Sequence, residues 1–142
     1  MTKLEEFLAG DRPNDVALFL AESYVEDERL ERFGERVDRG TVIVVDGDRG
    51  RNAFQAATGL DAMTFAGRAM DLEGIVAGDL SDGTCPNEPE RGSNEDHMVQ
   101  FVFAFTEEKN EEVGGIYAEG DVLHAYAHCT CGTAYSDKWV LQ

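Results

Sequence analysis

The chain has 142 residues, 42% hydrophobic and 9% aromatic, enough for a real core and too apolar for a wholly disordered chain. It carries 29 acidic residues against 12 basic ones, a net charge of −17, which leaves no basic patch for direct nucleic-acid binding. No apolar run approaches the roughly 20 residues that span a bilayer, and the start, Met1 to Glu6, lacks a secretory signal's basic and apolar regions, so a cytoplasmic protein away from membranes is expected.

By length the chain is expected to be one domain, 1–142. Leu4–Ala9 reads as a short helix closed by Gly10. Asn14 or Asp15 is placed to cap a second helix whose apolar face is Val16, Phe19, Leu20 and Tyr24. Leu30, Phe33 and Val37 repeat at helical spacing within the charged run 26–38 and predict a third, amphipathic helix. Thr41–Val45 is a run of β-branched residues without alternation, the signature of a central strand buried on both faces.

The segment Asp46 to Asn52 then reads as a glycine-containing loop into a helix, with Asp48 as cap. Its Gly47, Arg49, Gly50 and Arg51 are a candidate anion-binding loop, although the Lys-Ser/Thr pair of a P-loop is missing. Ala53–Thr58 and Asp61–Met70 read as two alanine-rich helices broken at Gly59, with Asp61 as N-cap. A short strand is expected at Ile75-Val76, followed by a polar loop over 81–97.

Val99–Thr106 alternates cleanly. Val99, Phe101, Phe103 and Phe105 are expected on one face, against the helices. Val113–Ala118, Val122–His128 and Thr133–Val140 read as a three-stranded meander with turns at Glu119-Gly120-Asp121 and Thr130-Cys131-Gly132. On Val122–His128, His124, Tyr126 and His128 share a face, and Leu123, Ala125, Ala127 and Cys129 share the other. The expected fold is α+β: an N-terminal helical layer on a mostly antiparallel sheet ending in a C-terminal meander.

The chemistry-bearing residues gather near the end. Cys85, Cys129 and Cys131 are an odd set in a chain with no secretory signal, pointing to metal ligation, redox chemistry or plain reduced thiols rather than a disulfide scaffold. Three thiolates with His97 or His128 as fourth ligand would satisfy the tetrahedron of zinc. A Cys-x-Cys disulfide would close a small strained ring. His124, Tyr126 and Asp137 form a candidate pocket in which the carboxylate orients the imidazole for acid–base work. No nucleophile elbow, HExxH helix or dinucleotide fingerprint is present.

Charge carries one more expectation. Lys3, Lys109 and Lys138 are the only lysines, and the other nine cations are arginines. So acidic a chain repels itself at low salt, and screening removes that cost when the Debye length falls to about 3 Å near 1 M salt. A salt-filled cytoplasm is therefore expected.

The motifs Phe7-Leu8-Ala9-Gly10, Val45-Asp46-Gly47-Asp48-Arg49-Gly50-Arg51, Ala56-Ala57-Thr58-Gly59, Glu111-Glu112-Val113-Gly114-Gly115 and Cys129-Thr130-Cys131-Gly132-Thr133-Ala134-Tyr135-Ser136-Asp137 run through most of the chain. In them the sequence resembles a family of small acidic haloarchaeal proteins of unknown function. The resemblance implies a halophilic source and carries no activity. The function expected is a non-catalytic accessory or regulatory module, binding a protein or small-molecule partner, with a Cys/His metal site. A small metal- or histidine-dependent enzyme and a thiol redox protein are the alternatives.

Overall fold

The computed structural model describes residues 2–24, 34–37, 39–86 and 98–141. Helix α1 (Lys3–Leu8) leads into strand β1 (Asp15–Ala21), then β2 (Glu35–Val37) and β3 (Gly40–Asp46). Helices α2 (Gly47–Thr58) and α3 (Ala62–Ala69) follow, then a small hairpin of β4 (Ile75–Val76) and β5 (Gly83–Thr84). Strand β6 (Val99–Glu107), helix α4 (Ile116–Glu119) and strands β7 (Val122–Cys129) and β8 (Ala134–Val140) complete the chain. The result is an α+β fold on a six-stranded antiparallel sheet of order β2-β3-β1-β6-β7-β8. Among the described residues no helix is long and apolar enough to cross a membrane.

Two buried layers clothe this sheet. On one face Leu18, Phe101, Phe103 and Tyr126 meet Phe54 of α2 and Phe65 of α3. Phe54 touches Phe101 and Phe103 edge-on, each with centroids 5.5 Å apart. On the other face Phe19, Val102, Leu123 and Tyr135 meet Phe7 of α1 and Val76, Leu80 and Cys85 of the β4–β5 excursion. Full burial of each large side chain contributes about 1.5–3 kcal/mol.

Helices α1 and α3 form close to where the sequence places them, while α2 begins earlier than expected. Thr2 caps α1 through Glu5 N, and Asp61 caps α3 through Thr64 N. Gly59 ends α2 at φ 76°, a left-handed position suited to glycine. The cap of α2 is Asp46 rather than Asp48, so β3 runs into the helix with no loop between them. Gly50 lies against β1, where a Cβ would meet Val16 Cγ2 at 1.9 Å.

Two expected elements do not form, and a third lies mostly outside the described residues. Val16–Tyr24 is not a helix: Val16 to Ala21 are all buried in β1, which has β3 and β6 as neighbours. A continuous apolar run satisfies helical spacing by accident, and a central strand needs both its faces apolar. The amphipathic helix over 26–38 lies mostly outside the described residues, and its described part, Glu35–Val37, is strand. Val113–Ala118 is not a strand, because Gly114 and Gly115 take φ of 80° and 59° and Ile116–Glu119 is helical. The C-terminal meander is instead β6-β7-β8.

The β6 strand forms as expected but with a bulge. Val99 pairs with Cys129 and Phe101 with His128, so Gln100 is the extra residue. The slip turns Val99 onto the thiol face, while Phe101 and Phe103 face the helices.

Candidate functional site

The thiols converge where three segments meet. Strand β7 ends at Cys129, and Gly132 at φ 92° lets the chain reverse into β8. Cys129 N donates to Thr133 O at 2.9 Å and Gly132 N to Cys129 O at 2.9 Å, closing the turn. Thr130 N donates to Met98 O at 2.9 Å, which ties the turn to the start of β6. Cys85 arrives just after β5. That segment seats on the Tyr135 ring through two glycines: a Cβ on Gly74 would meet Tyr135 Cδ2 at 2.5 Å, and one on Gly83 would meet Tyr135 Oη at 2.6 Å.

The three sulfurs all lie within 4.8 Å of one another. Cys85 Sγ and Cys131 Sγ are 3.8 Å apart. This is far longer than the roughly 2.05 Å of a disulfide. It equals the separation of about 3.8 Å expected for two sulfurs at about 2.3 Å from one tetrahedral ion. Cys85 and Cys129 are buried, and Cys131 is half-buried.

Burial alone would push the Cys131 thiol up. The Thr133 hydroxyl 3.1 Å from Sγ, the Thr133 amide, and the Cys129 and Cys85 thiols outweigh it and bring Cys131 down to about 6. At neutral pH the cluster therefore holds a thiolate, the form that ligates metals and attacks electrophiles. Three cysteines so placed can hold a metal ion.

The two described histidines, His124 and His128, are not part of this cluster. His128 precedes Cys129 on β7 and so projects from the opposite face. Its ring stacks on Phe101 at 4.8 Å, and Nδ1 lies 2.9 Å from Gln100 Oε1. Burial, helped by Arg68, lowers its pKa and favours the neutral ring. His97 lies outside the described residues.

His124, Tyr126 and Asp137 do come together, around a cleft of about 300 Å³. Their roles differ from expectation. His124 Nε2 pairs with Glu107 Oε1 at 2.8 Å. Asp137 instead accepts from the amides of Val76 at 3.1 Å and Lys138 at 2.8 Å. Glu107 was hidden from sequence reasoning because its reach to His124 exists only once β6 is known to pair with β7. Tyr117, from the segment expected to be a strand, and Lys138 also line the cleft.

The glycine–arginine segment is helix rather than loop. Gly47, Arg49, Gly50 and Arg51 form the first turns of α2. Arg49 pairs with Asp46 at 3.4 Å and Arg51 with Asp48 at 2.6 Å. Both guanidinium groups thus sit on carboxylates of their own segment.

No curated protein and no solved structure matches the chain. Residues 34–142 match a family described as a family of unknown function (DUF5807), and the chain belongs to that family.

Proposed function

We propose that this chain is a non-catalytic accessory or regulatory binding module, one domain, built around a zinc ion held by Cys85, Cys129 and Cys131. The supporting observation is the approach of three sulfurs to within one ion's reach, 4.8 Å or less for every pair. Thiolates are soft donors that select zinc and similar ions over magnesium or calcium. The three supply three of zinc's four positions, and the fourth falls to water or to a donor outside the described residues. Bound there, the ion would staple the β4–β5 excursion to the β7–β8 turn. Its partner is a protein or small molecule in the cytoplasm rather than a nucleic acid, in keeping with the net charge of −17. The same charge, with three lysines in the chain, supports a halophilic, haloarchaeal source.

Protein purified in concentrated potassium chloride should carry one zinc per chain, and a chelator should lower its melting temperature. Cys131→Ser should lose both the ion and the chelator response. Metal-free protein whose melting is indifferent to chelator and to added zinc would overturn this reading. The 3.8 Å approach of Cys85 to Cys131 also favours a second reading, a thiol redox pair. Treatment with a hydroperoxide followed by alkylation would then show two thiols lost together, joined as a Cys85–Cys131 disulfide.

A further inference from the structure

The sheet face away from the thiols is only partly roofed. Helices α2 and α3 bury Phe101 and Phe103. Beyond them the rings continue. Phe105 on β6 stacks on His124 at 5.2 Å, and His124 lies nearly parallel to Tyr126, 5° apart in plane with centroids 6.4 Å apart. Tyr117 of α4 faces His124 from the other side at 6.0 Å and 27°. Glu107 fixes the imidazole through Nε2 at 2.8 Å. The cleft of about 300 Å³ opens over Tyr117, His124 and Tyr126. That is the lower end of ligand-pocket sizes, room for one or two fused rings.

Its charges are mostly engaged. The Asp137 carboxylate is occupied by two backbone amides, and Glu107 by His124. Glu73, exposed at the rim, is the remaining carboxylate among the lining residues described. Lys138, cross-strand from His124, makes no ion pair among the described residues. Its ammonium rests 5.5 Å from the Tyr117 ring centre and 3.4 Å from the Tyr117 hydroxyl. A cation parked on a ring, in a chain where acids outnumber bases 29 to 12, is available to an anion that brings its own ring.

We propose that this cleft binds a small planar aromatic acid. The ring lies against Tyr117, His124 and Tyr126, and the carboxylate takes Lys138. Stacking of this kind contributes about 0.5–1.5 kcal/mol beyond the area buried, so a flat ring is favoured over a saturated one of equal size. The chain's overall negative field does not forbid the anion. That field is screened within a few ångströms in concentrated salt, whereas the ammonium would act at contact.

The test uses the full chain in concentrated potassium chloride and three probes: benzoate, cyclohexanecarboxylate and benzyl alcohol. Binding is read by calorimetry and by the carbon-bound proton resonances of His124. Benzoate should bind saturably and shift those resonances. Cyclohexanecarboxylate, which has charge without a flat ring, and benzyl alcohol, which has the ring without charge, should each bind about tenfold or more weakly. Lys138→Gln should bring benzoate down to the level of benzyl alcohol and leave benzyl alcohol unchanged. Tyr117→Leu should weaken both aromatic probes. The proposal is overturned if benzoate shows no saturable shift, if the saturated acid binds equally well, or if Lys138→Gln leaves benzoate binding intact. Lys138 is exposed, so its variant keeps the fold, and unchanged melting confirms that.

Discussion

The two faces of the sheet solve the same problem with different materials. The helix face is filled by large rings: Phe54, Phe65, Phe101 and Phe103 interlock, and Tyr126 extends them towards the open cleft. The thiol face of β7 is filled by Leu123, Ala125, Ala127 and Cys129. Small side chains there let the β4–β5 excursion come close, and Cys85 comes with it. The contrast teaches that each candidate site sits where its cover stops. The ring layer outruns its helices and leaves a cleft. The alanine layer draws in a short hairpin and leaves three sulfurs together at its margin.

Substitutions can break or sharpen this division. The largest effect is expected from Phe103→Ala, whose ring is 1% exposed and lies edge-on to Phe54. Denaturant unfolding should show a loss of about 3–5 kcal/mol. Bound metal per folded chain should not change, since the lesion is on the other face. Gly83→Ala should cost about 1–3 kcal/mol. The new Cβ must meet Ile75 O and Tyr135 Oη, each at 2.6 Å. Unlike Phe103→Ala it should also weaken metal retention, because the displaced segment carries Cys85. If the two variants affect metal equally, the faces are not independent.

Asp61→Ala removes the acceptor that Thr64 N uses at 2.9 Å. It should cost about 1 kcal/mol, and metal content should stay constant. The smallest effect is a pH slope in metal-free protein. Cys131 is depressed to about 6 in the fold from an ordinary 9.0. The unfolded chain therefore holds one more proton between those values, and stability rises with pH across that window and is lost as pH falls through 6. Solvent screening of this partly exposed thiol keeps the total gain small. Melting temperatures of wild type and Cys131→Ser should therefore diverge from pH 6 to pH 9, and parallel curves would remove the thiolate from the account.

Much of this was legible in the residues. The β-branched Thr41–Val45 run, the alternation of Val99–Thr106, the Asp61 cap and the Gly59 stop each carry one unambiguous local signal, and each formed its element. The Val16–Ala21 run carries two signals at once. Apolar residues at every position fit a helix face and a two-sided strand equally, and only the neighbours β3 and β6 decide between them. The Val99 face departs from simple alternation because a bulge is a property of the pair of strands, and Gln100 alone does not announce it. The cysteine trio was readable from chemistry, and strand alternation already separates His128 from Cys129. The Glu107–His124 pair was not readable, since it depends on which strand lies beside β7.

Strand β8 ends the sheet on one side, yet its rim is not bare. Gly74 N donates to Ser136 O at 2.9 Å, and Ser136 N donates to Leu72 O at 2.8 Å. Asp137 reaches across to Val76 N. The row of amides and carbonyls that would otherwise recruit a stranger's strand is interrupted at its middle. If salt is concentrated, mutual repulsion between molecules of net charge −17 is screened and does not hold neighbours apart. A short clasp of the chain's own backbone then guards against fibrous stacking, and it does so at any ionic strength.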